Sequence, residues 1–160
     1  MPHTITIDPK KTLQQLVEAG KYDWKYINDE YKLPPGKKGT VAIELVQVGH
    51  QPNNKAVVKA LNAKGYRPAT IAEVLALGIK YKKLQRNKPI ASAEGNFYVC
   101  LSEYDGKRRL SVSQDDHSWL DYCCFAAVRK SSDTRSLGTS ELKSLALEKI
   151  KELSELISKL

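Results

Sequence analysis

The residues best suited to chemistry lie in "SQDDHSWLDYCC", residues 113–124. Asp115, Asp116 and His117 offer two carboxylates and an imidazole, groups able to hold a metal ion or move a proton. Consecutive residues point in different directions, however, so three neighbours do not converge on one atom. Cys123 and Cys124 meet the same obstacle: on a strand they face opposite sides of the sheet, so both cannot approach Cys100. "GKKGT" at 36–40 has the composition of a phosphate loop without its spacing, since a Walker loop places four residues between the first Gly and Gly-Lys. GxSxG, HExxH and Cys/His metal boxes are all missing from the chain. These observations predict a protein that is not an enzyme and takes no cofactor or metal.

Charge points elsewhere. The 160 residues carry a net charge of +8, with a pI near 9.3, which suits an acidic partner such as nucleic acid. Part of the excess is local. "KYKKLQRNK" (80–88) holds Lys80, Lys82, Lys83, Arg86 and Lys88 without an acidic residue, and Tyr81 among them is of a type that stacks on bases. Lys107-Arg108-Arg109 follows a turn. No stretch approaches the ~20 apolar residues of a membrane helix, and the first residues lack the apolar run of a signal peptide. An odd number of cysteines without CxxC spacing suits reduced thiols. A cytoplasmic protein with no membrane insertion is expected.

The elements that must position these groups read as follows. Residues 8–22 predict a short helix, with Thr12 and Gln15 at capping-box spacing and Gly20 at its end. "YDWKYINDEY" is aromatic and irregular, and Trp24 is expected to cover a core edge. "TVAIELVQV" (40–48) reads as a central strand and 53–65 as a helix capped by Asn53 or Asn54. Then comes "GYRPATIAEVLA" (65–76). Gly65 suits the left-handed end of one helix, Pro68 forbids helix at Arg67, and Thr70 with Glu73 opens the next helix. Arg67 is expected to pin neighbouring carbonyls. "PIASA", "NFYVCLSEY" and "KRRLSVS" read as strands joined by Glu94-Gly95 and Asp105-Gly106 turns, with Leu110 and Val112 inward and Arg109, Ser111 and Ser113 turned away. "LDYCCFAAVRK" (120–130) reads as the last strand. A linker at 131–139 leads to 140–160, whose apolar arc predicts an amphipathic helix able to self-associate.

This order of strand, helix, glycine corner, helix, short strands, tryptophan loop and closing strand resembles the C-type-lectin fold over roughly residues 40–130. "AVVKALNAKGYRPATIAEVLAL" looks like its two-helix segment, and "HSWLDYCCFAAVRK" like its terminal loop and last strand. "GYRPAT…EVLA…PIA…RRLSV…W…FAAVRK" is also similar to small bacterial proteins sharing this frame. The resemblance implies an α+β core at 40–130; the helix and irregular segment at 1–39 are expected to pack on it. It does not extend to calcium-dependent sugar binding: "QPN" at Gln51–Asn53 precedes a helix, and "WLD" at 119–121 lacks the Asn ligand. Nor do adjacent cysteines match the formylglycine-generating branch. Some intracellular proteins of this fold are targets of diversity-generating retroelements. Similarity to those implies a variable ligand-binding face of Ser111, Ser113, Gln114, Asp115, Asp116, His117, Ser118, Asp121 and Tyr122, with Trp119 beside them.

The leading expectation is therefore a non-catalytic module presenting 111–122 to a protein or other macromolecule. The alternatives are a nucleic-acid-binding protein using 80–88 and a structural subunit assembled through 140–160.

Overall fold

The computed structural model describes residues 2–114 and 118–130. The chain divides into two units, residues 1–128 and 129–160, and the architecture below is that of the first. The linker and helix expected at 131–160 lie outside the described residues.

The strands are β1 (His3–Ile7), β2 (Trp24–Ile27), β3 (Gly39–Val46), β4 (Tyr66–Pro68), β5 (Ile90–Glu94), β6 (Phe97–Tyr104), β7 (Lys107–Ser113) and β8 (Cys124–Arg129). The helices are α1 (Leu13–Ala19), α2 (Asn54–Ala63) and α3 (Ile71–Lys80), and a single 3-10 turn spans Leu84–Arg86. Among the described residues the eight strands form one mixed sheet, in the order β1-β3-β8-β5-β6-β7-β2, with β4 paired to β8. The molecule is thus α+β.

Local chemistry explains the helices. The Thr12 hydroxyl accepts from the Gln15 amide while the Gln15 side chain accepts from the Thr12 amide, and Thr70 and Glu73 repeat that reciprocal cap. Asn53 caps α2 through the Ala56 amide at 2.8 Å. Gly65 follows α2 with φ of +88°, a conformation that L side chains resist.

The centre of the sheet is covered on both sides, as β8 shows. Its run Phe125-Ala126-Ala127-Val128 is buried throughout, and alternate residues enter different cores. Ala126 and Val128 join Val74, Leu75 and Leu77 of α3, Leu110 and Val112 of β7, and Ile5 and Ile43. Phe125 and Ala127 join Val57 and Leu61 of α2, Tyr66, Cys123 and Trp119. α1 and α3 therefore serve one face and α2 the other. Ile71, Val74, Leu75 and Leu77 of α3 share one core with Ala126 and Val128 of β8, while Cys123, Phe125 and Ala127 belong to the other.

Three local expectations are corrected. The aromatic stretch at 22–31 is not irregular throughout: Trp24–Ile27 is a strand, running parallel to β7. The corner at 65–70 contains β4, and the Ala69 amide donates to the Ala126 carbonyl at 2.9 Å. The closing strand starts at Cys124, because residues 120–123 form a turn in which the Cys123 amide donates to the Leu120 carbonyl at 3.2 Å.

Candidate functional site

The 111–122 residues separate into two groups. Trp119 is only 3% exposed. Its indole Nε1–H donates to Asn54 Oδ1 at 2.7 Å, and its ring meets Tyr98 and Phe125 edge-on, with centroids 5.2 and 5.3 Å apart. Its backbone bridges Gln51 in both directions, at 2.9 and 2.7 Å. Ser113 is buried too, at 5% exposed. These two are interior groups and do not belong to a binding surface. The strand alternation that turns Ser113 away from the α3 side delivers it into the second core rather than to solvent. Gln114, Ser118, Leu120, Asp121 and Tyr122 are exposed, and Ser111 is half-buried. Asp115, Asp116 and His117 lie outside the described residues.

Trp119 nevertheless fixes the turn around it. With the indole anchored on α2 and β8, Leu120 and Tyr122 stay in solvent at 47% and 51% exposure. The turn adjoins the sheet where Tyr98 of β6 pairs with Ser113 of β7.

The basic segment is largely occupied with its own fold. Lys80 Nζ and the Tyr81 hydroxyl both donate to the Thr4 carbonyl, at 2.8 and 3.2 Å. The Tyr81 ring packs edge-on against His3, and Lys82 Nζ donates to the Ile79 carbonyl at 2.8 Å. Arg86 Nε lies 3.8 Å from Glu103. Beneath them the buried Gln85 amide spans the Ser102 and Arg109 carbonyls at 2.5 and 3.2 Å. Lys83 and Lys88 are exposed. This segment is a strap that ties α3 to β1 and to the β6–β7 hairpin.

Arg67 fulfils more than its expectation. It donates to the Pro68 carbonyl at 3.1 Å and also grips both Glu73 oxygens at 2.9 and 3.0 Å. The corner at 65–70 is a joint held by Arg67 and Glu73.

A second surface arises from residues far apart in sequence. β2 lies alongside β7, with Trp24 paired to Arg109 and Tyr26 to Ser111. β6 lies on the other side, pairing Ser102 with Arg109, Cys100 with Ser111 and Tyr104 with Lys107. Paired residues share a face. The face opposite Leu110 and Val112 thus bears Trp24, Tyr26, Arg109, Ser111 and Tyr104. Trp24, Tyr26 and Tyr104 are 46%, 47% and 71% exposed, so Trp24 does not cover a core edge. The Arg109 guanidinium sits between two of these rings, 4.8 Å from the Trp24 centroid and 5.6 Å from that of Tyr104. The cue was the alternation in "DWKYI", two aromatics at i and i+2, which reads as a strand when its partner is known.

The thiols are held towards their protonated form. Burial pushes the Cys100 thiol up to about 12 and raises Cys123 as well, while at Cys124 burial outweighs the opposing pull of Lys88. All three cysteines are free, and thiols held protonated are poor nucleophiles and metal ligands. Among the described residues no three His, Cys, Asp or Glu side chains cluster as a metal site, and no helix is long and apolar enough to cross a membrane.

Comparison with protein-family models, with curated proteins and with solved structures finds no match.

Proposed function

We propose that this chain is a non-catalytic binding module that presents one continuous surface to a macromolecular partner. That surface is the open face of β6, β7 and β2 together with the turn at 118–122. The observation that carries this reading is the placing of Arg109 between the exposed rings of Trp24 and Tyr104 on a sheet face of its own. Aromatic and arginine side chains in such a setting supply large contact area with little ordering cost. A C-type-lectin-like frame is part of the proposal. Its support is the order β3, α2, corner, α3, β5 to β7, Trp119 and β8. The proposed surface includes Ser111 and the exposed residues 114, 118, 121 and 122, with Trp119 as its anchor.

The strap at 80–88 is the weaker alternative, because Lys80, Tyr81, Lys82 and Arg86 already meet protein groups. The test is site-specific photocrosslinking of the full chain in its own cells, with a benzophenone amino acid at Tyr26, at Tyr122 or at the exposed Lys55 of α2. Adducts should form from positions 26 and 122 and disappear with Arg109→Ser. Adducts formed only at 55, or indifferent to Arg109, would remove the proposed surface. Retroelement diversification is read from the genome: a neighbouring reverse transcriptase and a near-repeat of the codons for 105–130 are expected.

A further inference from the structure

The sheet face says more about its ligand than that it is large. Its exposed rings lie on β2 and β6, the two strands that flank β7, with Trp24 and Tyr26 two residues apart and therefore roughly 6.6 Å from one another along β2. That is about twice the 3.4 Å rise of a stacked nucleic-acid strand. Bases can follow these rings only when splayed from their own stack. Arg109 stands between two of the rings and Lys107 is paired with Tyr104, and the paired positions 24, 26, 102, 104, 107, 109 and 111 include no carboxylate. The face thus combines flat π-surfaces, fixed positive charge and the hydroxyls of Ser102 and Ser111. The face is three strands wide, broader than the helix or two-stranded ribbon that the major groove of a duplex admits. The chain's net charge of +8 acts in the same direction.

We infer that this face binds single-stranded nucleic acid, with unpaired bases stacking on Trp24, Tyr26 and Tyr104 while Arg109 and Lys107 meet the phosphates. The inference rests on the binding surface proposed above and narrows its partner to one class. Arg109 has two roles in it. Stacked on Trp24, it extends the π-surface, and its outward N–H groups remain directed at the backbone. The base contacts are sequence-tolerant, since every base has a π-face.

The test uses the full chain and fluorescently labelled oligonucleotides of about eight residues, oligo-U and oligo-dT, against a duplex of the same length. Anisotropy is read at roughly 50 and 200 mM salt, with polyglutamate as competitor. Single strands should bind at least tenfold more tightly than duplex. The log–log salt slope should be about −1.4, the value for two phosphate contacts on a single strand. Trp24→Ser with Tyr26→Ser should weaken binding by about 30-fold or more, and Arg109→Gln should flatten the salt slope by about half. Lys83→Gln with Lys88→Gln should change affinity less than about twofold. Trp24 emission reports independently: it starts at the wavelength of a solvated indole and shifts to the blue on binding, against a constant signal from Trp119.

Equal affinity for duplex, or loss of binding through Lys83 and Lys88 rather than the rings, overturns the inference. So does a Trp24 spectrum that is already blue in the free chain, which would mean that residues 131–160 or a second copy occupy the face. Crosslinks from position 26 to a protein, without oligonucleotide binding, would leave the surface standing and reject the ligand class. Circular dichroism of each variant separates lost binding from lost fold.

Discussion

Arg108 and Arg109 are neighbours with opposite tasks. Arg108 directs its five guanidinium N–H groups inward, to the carbonyls of Gly20, Lys21, Gly78 and Lys82 and to Gln85 Oε1. The Tyr22 ring lies 4.5 Å away, and that ring fills the space where a side chain on Gly78 would go. Lysine offers three donors on a flexible stem and cannot match this fork. Arg108→Lys should therefore lower unfolding stability by about 2–4 kcal/mol, read from the urea midpoint. Cys100 makes a second residue-scale prediction. Its thiol, ordinarily near 9.0, is raised to about 12 in the fold by burial. The folded state then holds a proton that the unfolded chain releases, so stability is intact below the ordinary thiol range and falls as pH climbs from about 9 towards 12. Each such group contributes at most about 1.4 kcal/mol per pH unit. Tyr31, raised by burial and by its hydrogen bond to Glu94, joins from about pH 10 upward. Urea unfolding at a series of alkaline pH values should show this decline. Cys100→Ala should have the shallower slope between roughly pH 9 and 10.

At the scale of elements, the joint between α2 and α3 makes a graded prediction. Thr70 caps one amide of α3, so Thr70→Ala should cost about 1 kcal/mol. Glu73 is buried, accepts from the Thr70 amide at 2.8 Å and holds Arg67 through both oxygens. Glu73→Ala removes all of these at once and should cost about 3–5 kcal/mol, measured by the same denaturant series. Both caps were legible in the sequence because a capping box is local: its two residues stand three apart and need no distant partner. The hairpins of β5, β6 and β7 were legible for the same reason, through Gly95 and Gly106 at positive φ. β1 and β2 were not. Each is a strand of four or five residues whose identity comes from pairing, with β3 in one case and β7 in the other. The binding face was half legible. Alternation placed Arg109 and Ser111 on a shared side, but Trp24 and Tyr26 arrive there only because β2 joins the sheet edge. Ser113 and Trp119 misled in the opposite sense. A serine on an outward register and a tryptophan in a polar loop both suggest surface, and a second core around Phe125 takes them in.

Across the described residues the two cores contrast with the exposed aromatic side chains of the sheet edge, and that contrast allows one more test. β8 contributes alternate residues to both cores, so residues 2–114 and 118–128 should unfold in a single transition rather than in layers. Within that transition, buried and exposed aromatics should behave differently. Phe125 is fully buried and touches Trp119, and Phe125→Ala should cost about 3–5 kcal/mol. Trp119→Phe keeps most of the ring but loses the 2.7 Å bond to Asn54, and should cost about 1–2 kcal/mol. Trp24→Ser and Tyr26→Ser remove rings that already face water, so each should change stability by less than about 1 kcal/mol. Thermal and urea unfolding of the four variants gives the comparison directly. If Trp24 and Tyr26 proved as costly to remove as Phe125, their exposure would be an accident of the sheet edge and their task would be structural. If they cost little, the two half-exposed rings do little for the fold of the described residues, which is the outcome expected of groups kept for a bound partner.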